Sequence, residues 1–142
     1  MGRVMTRIKL TNMFDAENAR LGLLSADQIR TVEVDALVDT GATMLVLPAD
    51  VVRRLGVRER ARRKVRYANG QVAEVPMVGG IEVTILGRET QCEALVEAVG
   101  TTPLVGRIPL EALDLVVNPR TRDVEVNPAS PDAPLLDLLA VA

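Results

Sequence analysis

The chain of 142 residues is long enough for one domain with a modest core, and its 48% hydrophobic and 25% charged residues are typical of a soluble globular protein. Its net charge of −2 excludes an overall field that would direct it to nucleic acid or to an anionic membrane. The absence of histidine and the single cysteine exclude Ser-His and Cys-His catalysis, most catalytic zinc sites and any intrachain disulfide.

The first part of the chain predicts short strands separated by turns. Residues 7–11 alternate loosely between polar and apolar side chains and predict an early strand, and residues 12–25 predict a loop or a short helical stretch. Residues 31–39 alternate more clearly, with valines and Ala36 on one face, so they predict a strand that runs into the turn Thr40-Gly41-Ala42. An apolar segment, residues 44–47, follows that turn.

The middle of the chain predicts a helix and a hairpin. Residues 48–55 predict a short helix, with Pro48 near its first turn and Gly56 as its terminator. Residues 65–76 predict a hairpin whose tip is Asn69-Gly70, because Asn-Gly is the strongest short hairpin signal.

The remaining segments complete an all-β pattern. Residues 81–86 and 91–98 predict a strand pair around Gly87-Arg88. A second short helix is predicted over residues 109–113, and a third hairpin joins residues 115–117 to 124–126. Such spacing predicts a closed β-barrel or sandwich with one or two short helices over residues 1–127. Residues 128–142 contain three prolines and predict a tail that lies over the surface or is mobile.

Two segments carry the chemical signal: ALVDTGAT at residues 36–43 and PLVGRIPL at residues 103–110. Without histidine, proton transfer must come from carboxylates, Lys, Tyr or Cys, and carboxylates are the natural candidates. Together with the intervening hairpin, these segments resemble the retroviral-type (retropepsin-like) aspartic proteases. Those enzymes have an apolar-apolar-Asp-Thr-Gly-Ala/Ser loop, a hairpin flap, and later an apolar-apolar-Gly segment leading into a short helix. The resemblance covers roughly residues 30–118.

The resemblance implies that Asp39 is the catalytic carboxylate. Two carboxylates forced close together share one proton, so one can act as base and the other as acid. The chain has one Asp-Thr-Gly, and the second Asp39 must therefore come from another copy in a symmetric homodimer. Thr40 would hydrogen-bond across the dimer, and Gly41 would leave room for the substrate backbone. Ala42 lacks the hydroxyl of Ser-bearing relatives, which predicts a less acidic pH optimum.

The same resemblance assigns the flap and the support of the loop. The flap that closes over a peptide would carry five residues: Tyr67, Ala68, Asn69, Gly70 and Gln71. Leu104, Val105 and Gly106 would pack beneath the Asp39 loop. Retroviral enzymes often place an acidic residue where Thr43 stands here, and it can pair with the later arginine, so the partner of Arg107 is open.

Other features have simpler interpretations. Asp35 lies in the same strand as Asp39 and is expected to be a solvated surface residue. Cys92 is expected to be a buried small apolar side chain rather than a reactive thiol. Residues 53–66 form a basic stretch that is either a solvated surface or a recognition site for acidic substrates or an anionic partner. Residues 135–139 form an apolar segment that either pairs with the partner subunit or is a frayed end. The basic residues of the stretch are Arg53, Arg54, Arg58, Arg60, Arg62, Arg63, Lys64 and Arg66.

The sequence therefore predicts a metal-independent aspartic endopeptidase without a cofactor, which acts on peptide or protein substrates. One alternative is a catalytically silent dimer of the same fold that binds a peptide or protein partner. A second alternative is a nucleic-acid-associated protein that uses the basic stretch, although nucleic acid is not the expected partner. No apolar run resembles a signal peptide or a membrane span, so the expected location is the cytoplasm.

Overall fold

A computed structural model describes residues 3–138, and within them strands predominate over short helices. The strands are β1 (Met5–Asn12), β2 (Thr31–Val38), β3 (Leu45–Pro48), β4 (Glu59–Arg66), β5 (Val72–Ile85), β6 (Arg88–Glu97), β7 (Leu104–Val105), β8 (Leu115–Asn118) and β9 (Asp123–Val126). The helices are α1 (Met13–Arg20), α2 (Ala49–Leu55) and α3 (Arg107–Ala112), with a 3-10 turn at Ala26–Gln28.

Seven of these strands form one mixed sheet in the order β1-β2-β7-β3-β6-β5-β4. Strand β1 also pairs with β5, so that Leu10 lies opposite Val32 on one side and Val83 on the other. This second pairing nearly closes the sheet into a ring and leaves β4 outside the closure. Strands β8 and β9 form a separate antiparallel pair.

The core inside this sheet is aliphatic, as the composition predicts. Its fully buried side chains are valine, leucine, isoleucine, methionine and alanine, contributed by most strands together with α2. The two aromatic rings lie outside it, with Phe14 60% exposed and Tyr67 36% exposed. Burial of these aliphatic side chains is the main term that stabilises the closed sheet.

Most predicted elements are present, with three differences. The hairpin strand and the strand at residues 81–86 are one strand, β5, which bends at an irregularity between Val78 and Ile81 around Gly79-Gly80. Strand β4 begins at Glu59, within the basic stretch, because an edge strand does not need alternating apolar residues. The described residues contain three α-helices rather than one or two, because the stretch after β1 forms α1, capped by Asn12.

The segment after β9 is held against the domain by a polar cluster that the sequence did not predict. The buried guanidinium of Arg88 donates hydrogen bonds to the carbonyls of Leu113, Asp114 and Ser130. The carboxylate of Asp114 accepts from the Ser130 hydroxyl, from Asn127 Nδ2 at 3.0 Å and from the Leu135 amide at 3.0 Å. Residues 127–135 are therefore tied to the turn between α3 and β8.

The charge on Asp114 makes this attachment dependent on pH. Its hydrogen bonds, first those from Ser130 and Asn127, lower the pKa of the Asp114 carboxyl from 3.8 to about 2. Since the folded-state pKa lies below the unfolded value, the stabilisation is fully present above pH 3.8. It is lost as the pH falls from there through about 2.

We expect Asp114→Asn to reduce this acid-dependent loss of stability, because asparagine keeps the shape of the side chain without its titrating charge. Asparagine also tolerates the positive φ of 52° at this position. Urea unfolding of both proteins at several pH values measures the difference in free energy of unfolding. That difference should shrink as the pH falls from 3.8 to about 2. A difference that is constant with pH would contradict the role of the Asp114 charge.

Candidate active site

The topology places the end of β2 directly beside the end of β7. Strand β7 lies between β2, to which it is parallel, and β3, to which it is antiparallel. The amide of Leu37 donates to the Pro103 carbonyl at 2.8 Å, and that of Asp39 donates to the Val105 carbonyl at 3.0 Å. The loop that joins β2 to β3 must therefore cross over the end of β7, and Asp39 is its first residue.

The Asp39 loop organises its own carboxylate. The amide of Gly41 donates to Asp39 Oδ1 at 2.9 Å, and the amide of Ala42 donates to the Asp39 carbonyl at 3.1 Å. Asp39 is partly exposed, and Thr40 and Gly41 are exposed. Within the described residues Oδ2 of Asp39 accepts no hydrogen bond, so one oxygen is fixed by the loop and the other is available.

The loop is joined to the start of α3 by backbone hydrogen bonds. The amide of Arg107 donates to the Ala42 carbonyl at 2.9 Å, and the amide of Ile108 donates to the Thr43 carbonyl at 2.9 Å. The first amides of a helix have no partner within the helix, and here the loop carbonyls supply one. A Cβ at Gly106 would lie 2.5 Å from the Met44 carbonyl oxygen and 2.7 Å from that of Ala42, so this close approach requires glycine.

The structure also provides the partner of Arg107 that the sequence left open. Arg107 Nη2 donates to the hydroxyl of Thr43 at 3.3 Å. The position that is often acidic in retroviral enzymes is thus occupied by an uncharged residue, whose hydroxyl accepts a hydrogen bond from the same arginine. This contact is exposed, and it adds a side-chain link to the backbone links between the loop and α3.

The predicted flap residues form the turn of the β4–β5 hairpin. The amide of Tyr67 donates to the Gln71 carbonyl at 2.9 Å, and Asn69 Oδ1 accepts from the Gln71 amide at 2.9 Å. The Tyr67 hydroxyl donates to Glu97 Oε1 at 3.0 Å, and this bond raises the pKa of the Tyr67 phenol. This contact links the start of the turn to Glu97 at the end of β6. Sequence reasoning did not predict Glu97, because no local pattern connects it to Tyr67.

Two further candidates lie away from this centre. Asp35 is exposed on β2, where its carboxylate lies 3.4 Å from Arg7 Nη1. Cys92 is partly buried on β6, and burial raises the pKa of its thiol to about 12, so it carries no thiolate at neutral pH. It lines a cavity of about 270 Å³ beside the segment that follows the Asp39 loop, together with Met44 and Ile108.

Within residues 3–138 no cluster of three or more Cys, Asp or Glu side chains has the geometry of a metal site. In the same part of the chain, none of the helices has the length and apolar character needed to cross a membrane.

Comparison with known proteins agrees with the geometry of the loop. No curated protein matches the chain significantly. The model of a family described as gag-polyprotein putative aspartyl protease matches residues 27–111, which is more than half of the chain. The matched segment begins before β2, includes the Asp39 loop and the β4–β5 hairpin, and ends within α3. The chain therefore belongs to this retropepsin-like aspartyl protease family.

Proposed function

We propose that the protein is an aspartic endopeptidase that acts as a symmetric homodimer, with the Asp39 carboxylates of two copies as its catalytic pair. The observation that carries this proposal is the Asp39 loop. Its carboxylate has one oxygen fixed by the Gly41 amide and one oxygen available, at a partly exposed position in a loop bonded to both β7 and α3.

In such a pair, one carboxylate is protonated and the other is charged, because two adjacent carboxylates cannot both ionise easily. The charged Asp39 takes a proton from a water molecule, which attacks the carbonyl carbon of the peptide bond. The protonated Asp39 donates a hydrogen bond to the carbonyl oxygen of the substrate. When the tetrahedral intermediate collapses, the C–N bond breaks and the amine leaves with a proton from the pair.

The exposed apolar side chains of the C-terminal segment support the dimer. Leu135 and Leu136 are about two-thirds exposed, and Leu138 is 89% exposed. The Asp114 contact to the Leu135 amide holds the start of this segment on the domain. Burial of these leucines against a second copy would remove apolar surface from water. Thr40 is exposed beside Asp39 and is free to hydrogen-bond across the same two-fold axis.

The β4–β5 hairpin would act as the flap, closing over an extended peptide and excluding water. The cavity lined by Met44, Leu45, Cys92 and Ile108, with Gln91 and Glu93 as its polar members, would accept a substrate side chain that is largely apolar.

The alternative is a silent dimer that binds a peptide without cleaving it. The bond between Tyr67 and Glu97 favours this alternative, because it holds the tip of the flap on its own subunit.

We expect the initial rate of peptide cleavage to rise faster than linearly with protein concentration when the enzyme is dilute. A dimer is the active species, and its fraction grows with concentration by mass action. Rates with a pool of fluorogenic peptides, measured alongside sedimentation at the same concentrations, test this. Absence of turnover at all pH values in a protein that sediments as a dimer would favour the silent alternative. A rate strictly proportional to concentration while the protein is monomeric would contradict the shared site.

A further inference from the structure

Strand β4 has one open edge. Within residues 3–138 it pairs only with β5, so the backbone groups on its other side have no strand partner. At the end of the hairpin, the amide of Tyr67 donates to Gln71. Hydrogen-bonded and non-hydrogen-bonded pairs alternate along an antiparallel ladder. Counting back along β4 from Tyr67, every second residue therefore makes its backbone hydrogen bonds to β5. The residues between them direct their amides and carbonyls to the open edge.

Those outward-directed residues are Arg62, Lys64 and Arg66. Pro76 lies opposite Arg62. Proline has no N–H and fits a non-hydrogen-bonded pair, so its position agrees with this alternation of pairs. Arg60 falls at the bulge between Glu59 and Ala61 and is not part of the regular ladder. The open edge thus presents three residues at alternate positions, all with a cationic side chain.

The three cations also share one face of the sheet, since side chains two residues apart point the same way. Arg62 is paired with Glu59 and with Glu74, each at 3.1 Å. In the described part of the chain, neither Lys64 nor Arg66 has a carboxylate within ion-pair distance. Glu74 also lies directly opposite Lys64 in the ladder, so three cations and two carboxylates leave this face with a net charge of +1.

We propose that this edge binds an extended acidic polypeptide segment, which adds as a further strand and places Asp or Glu at every second position opposite Arg62, Lys64 and Arg66. Directly opposite side chains in adjacent strands lie close enough for opposite charges to stabilise the pair. A second copy of β4 would bring like charges together, so the edge disfavours self-association. Single-stranded nucleic acid lacks a stacking platform here, because stacking of successive bases needs several rings and Tyr67 is the one tyrosine of a chain with a single Phe and no Trp.

This inference goes beyond the proposed function, since binding at the edge requires neither the Asp39 pair nor cleavage. It is therefore tested in full-length Asp39→Asn protein by fluorescence anisotropy. The probe is a labelled peptide with Glu at every second position and Thr between, and the matched probe has Gln in place of Glu. We expect the Glu peptide to bind about twofold to fivefold more tightly, the effect of about one uncompensated charge pair.

The double variant Lys64→Gln/Arg66→Gln should remove this preference. The matched control is Arg53→Gln/Arg54→Gln, which loses the same charge in the last turn of α2, outside strand β4, and should retain the preference. Equal losses in both variants would overturn the proposal, because they would indicate a general charge effect. The proposal would also be overturned if an RNA oligomer bound more tightly than the Glu peptide and if that binding were lost in the same β4 variant.

The backbone part of the proposal has its own test. N-methylation of the peptide residues whose backbone N–H groups point toward β4 should abolish binding. N-methylation of the residues between them should leave binding unchanged. If both peptides bind equally, the segment does not add as a strand, and the edge cations serve only to block aggregation. The binding test uses Asp39→Asn protein, so a peptide that does not bind to the β4 edge leaves the peptidase proposal intact. Likewise, absence of peptidase activity leaves the proposal of edge binding intact.

Discussion

Replacing Asp39 by asparagine is expected to lower peptide hydrolysis by about 10²–10⁴-fold, the range typical for removal of an acid–base group. Asparagine keeps the acceptor oxygen that the Gly41 amide contacts, so the loop should fold as before. It cannot ionise, and a pair of two asparagines cannot take a proton from water. Cleavage of fluorogenic peptides from acidic to slightly alkaline pH gives the rate, and circular dichroism verifies the fold.

Asp35→Asn is the matched control, because it makes the same chemical change on the same strand. Its carboxylate is 67% exposed and, within residues 3–138, pairs only with Arg7, so its loss should leave activity unchanged. Equal activity of the wild type and Asp39→Asn would contradict the catalytic role. Mixing wild type with excess Asp39→Asn should also suppress activity, because mixed dimers contain an impaired pair.

The second large effect is expected at Gly106, where Gly106→Ala should destabilise the protein by about 1–3 kcal/mol or more. The new Cβ would lie 2.5–2.8 Å from backbone atoms of Met44 and Ala42, which cannot move without disturbing the bonds from Arg107 and Ile108. Activity should fall as well, since these bonds position the Asp39 loop. Thermal and urea unfolding, together with the peptide assay, measure both effects.

Gly79→Ala provides a control with the same change in side chain. A Cβ there would lie 2.9 Å from Cδ of Arg60, a flexible side chain that can move at little cost. Neither Gly79 nor Gly106 has a positive φ, so backbone strain does not separate the two variants. A loss of stability at Gly79 as large as that at Gly106 would show that contact with the loop backbone is not the cause.

Local patterns in the sequence were sufficient for much of the fold. The alternation before Asp39 predicts β2, Gly56 ends α2, and Asn69-Gly70 predicts the hairpin tip. Strand β4 could not be recognised in this way, because its position at the sheet edge allows an almost wholly charged sequence. The length of β5 was also missed, since Gly79-Gly80 is typical of a turn but here forms an irregularity within one strand.

For the candidate site, the motif predicted which segments carry chemistry, whereas their contacts depended on the tertiary fold. The sequence alone left Arg107 without a partner, because its contact, Thr43, lies far away along the chain. The same holds for Tyr67 with Glu97 and for the cluster of Arg88 and Asp114. Single side-chain contacts between distant segments leave no periodic signal in a sequence.

The second pairing of β1, with β5, has a consequence for the speed of folding. Leu10 must meet Val83 before the sheet can close, and a long stretch of chain separates the two residues. Contacts between distant residues cost loop entropy before they return any stabilisation, which slows folding. We therefore expect β1 to gain its second partner late in folding, after β5 has formed. Until then, its open side and the aliphatic core residues it carries are exposed to aggregation.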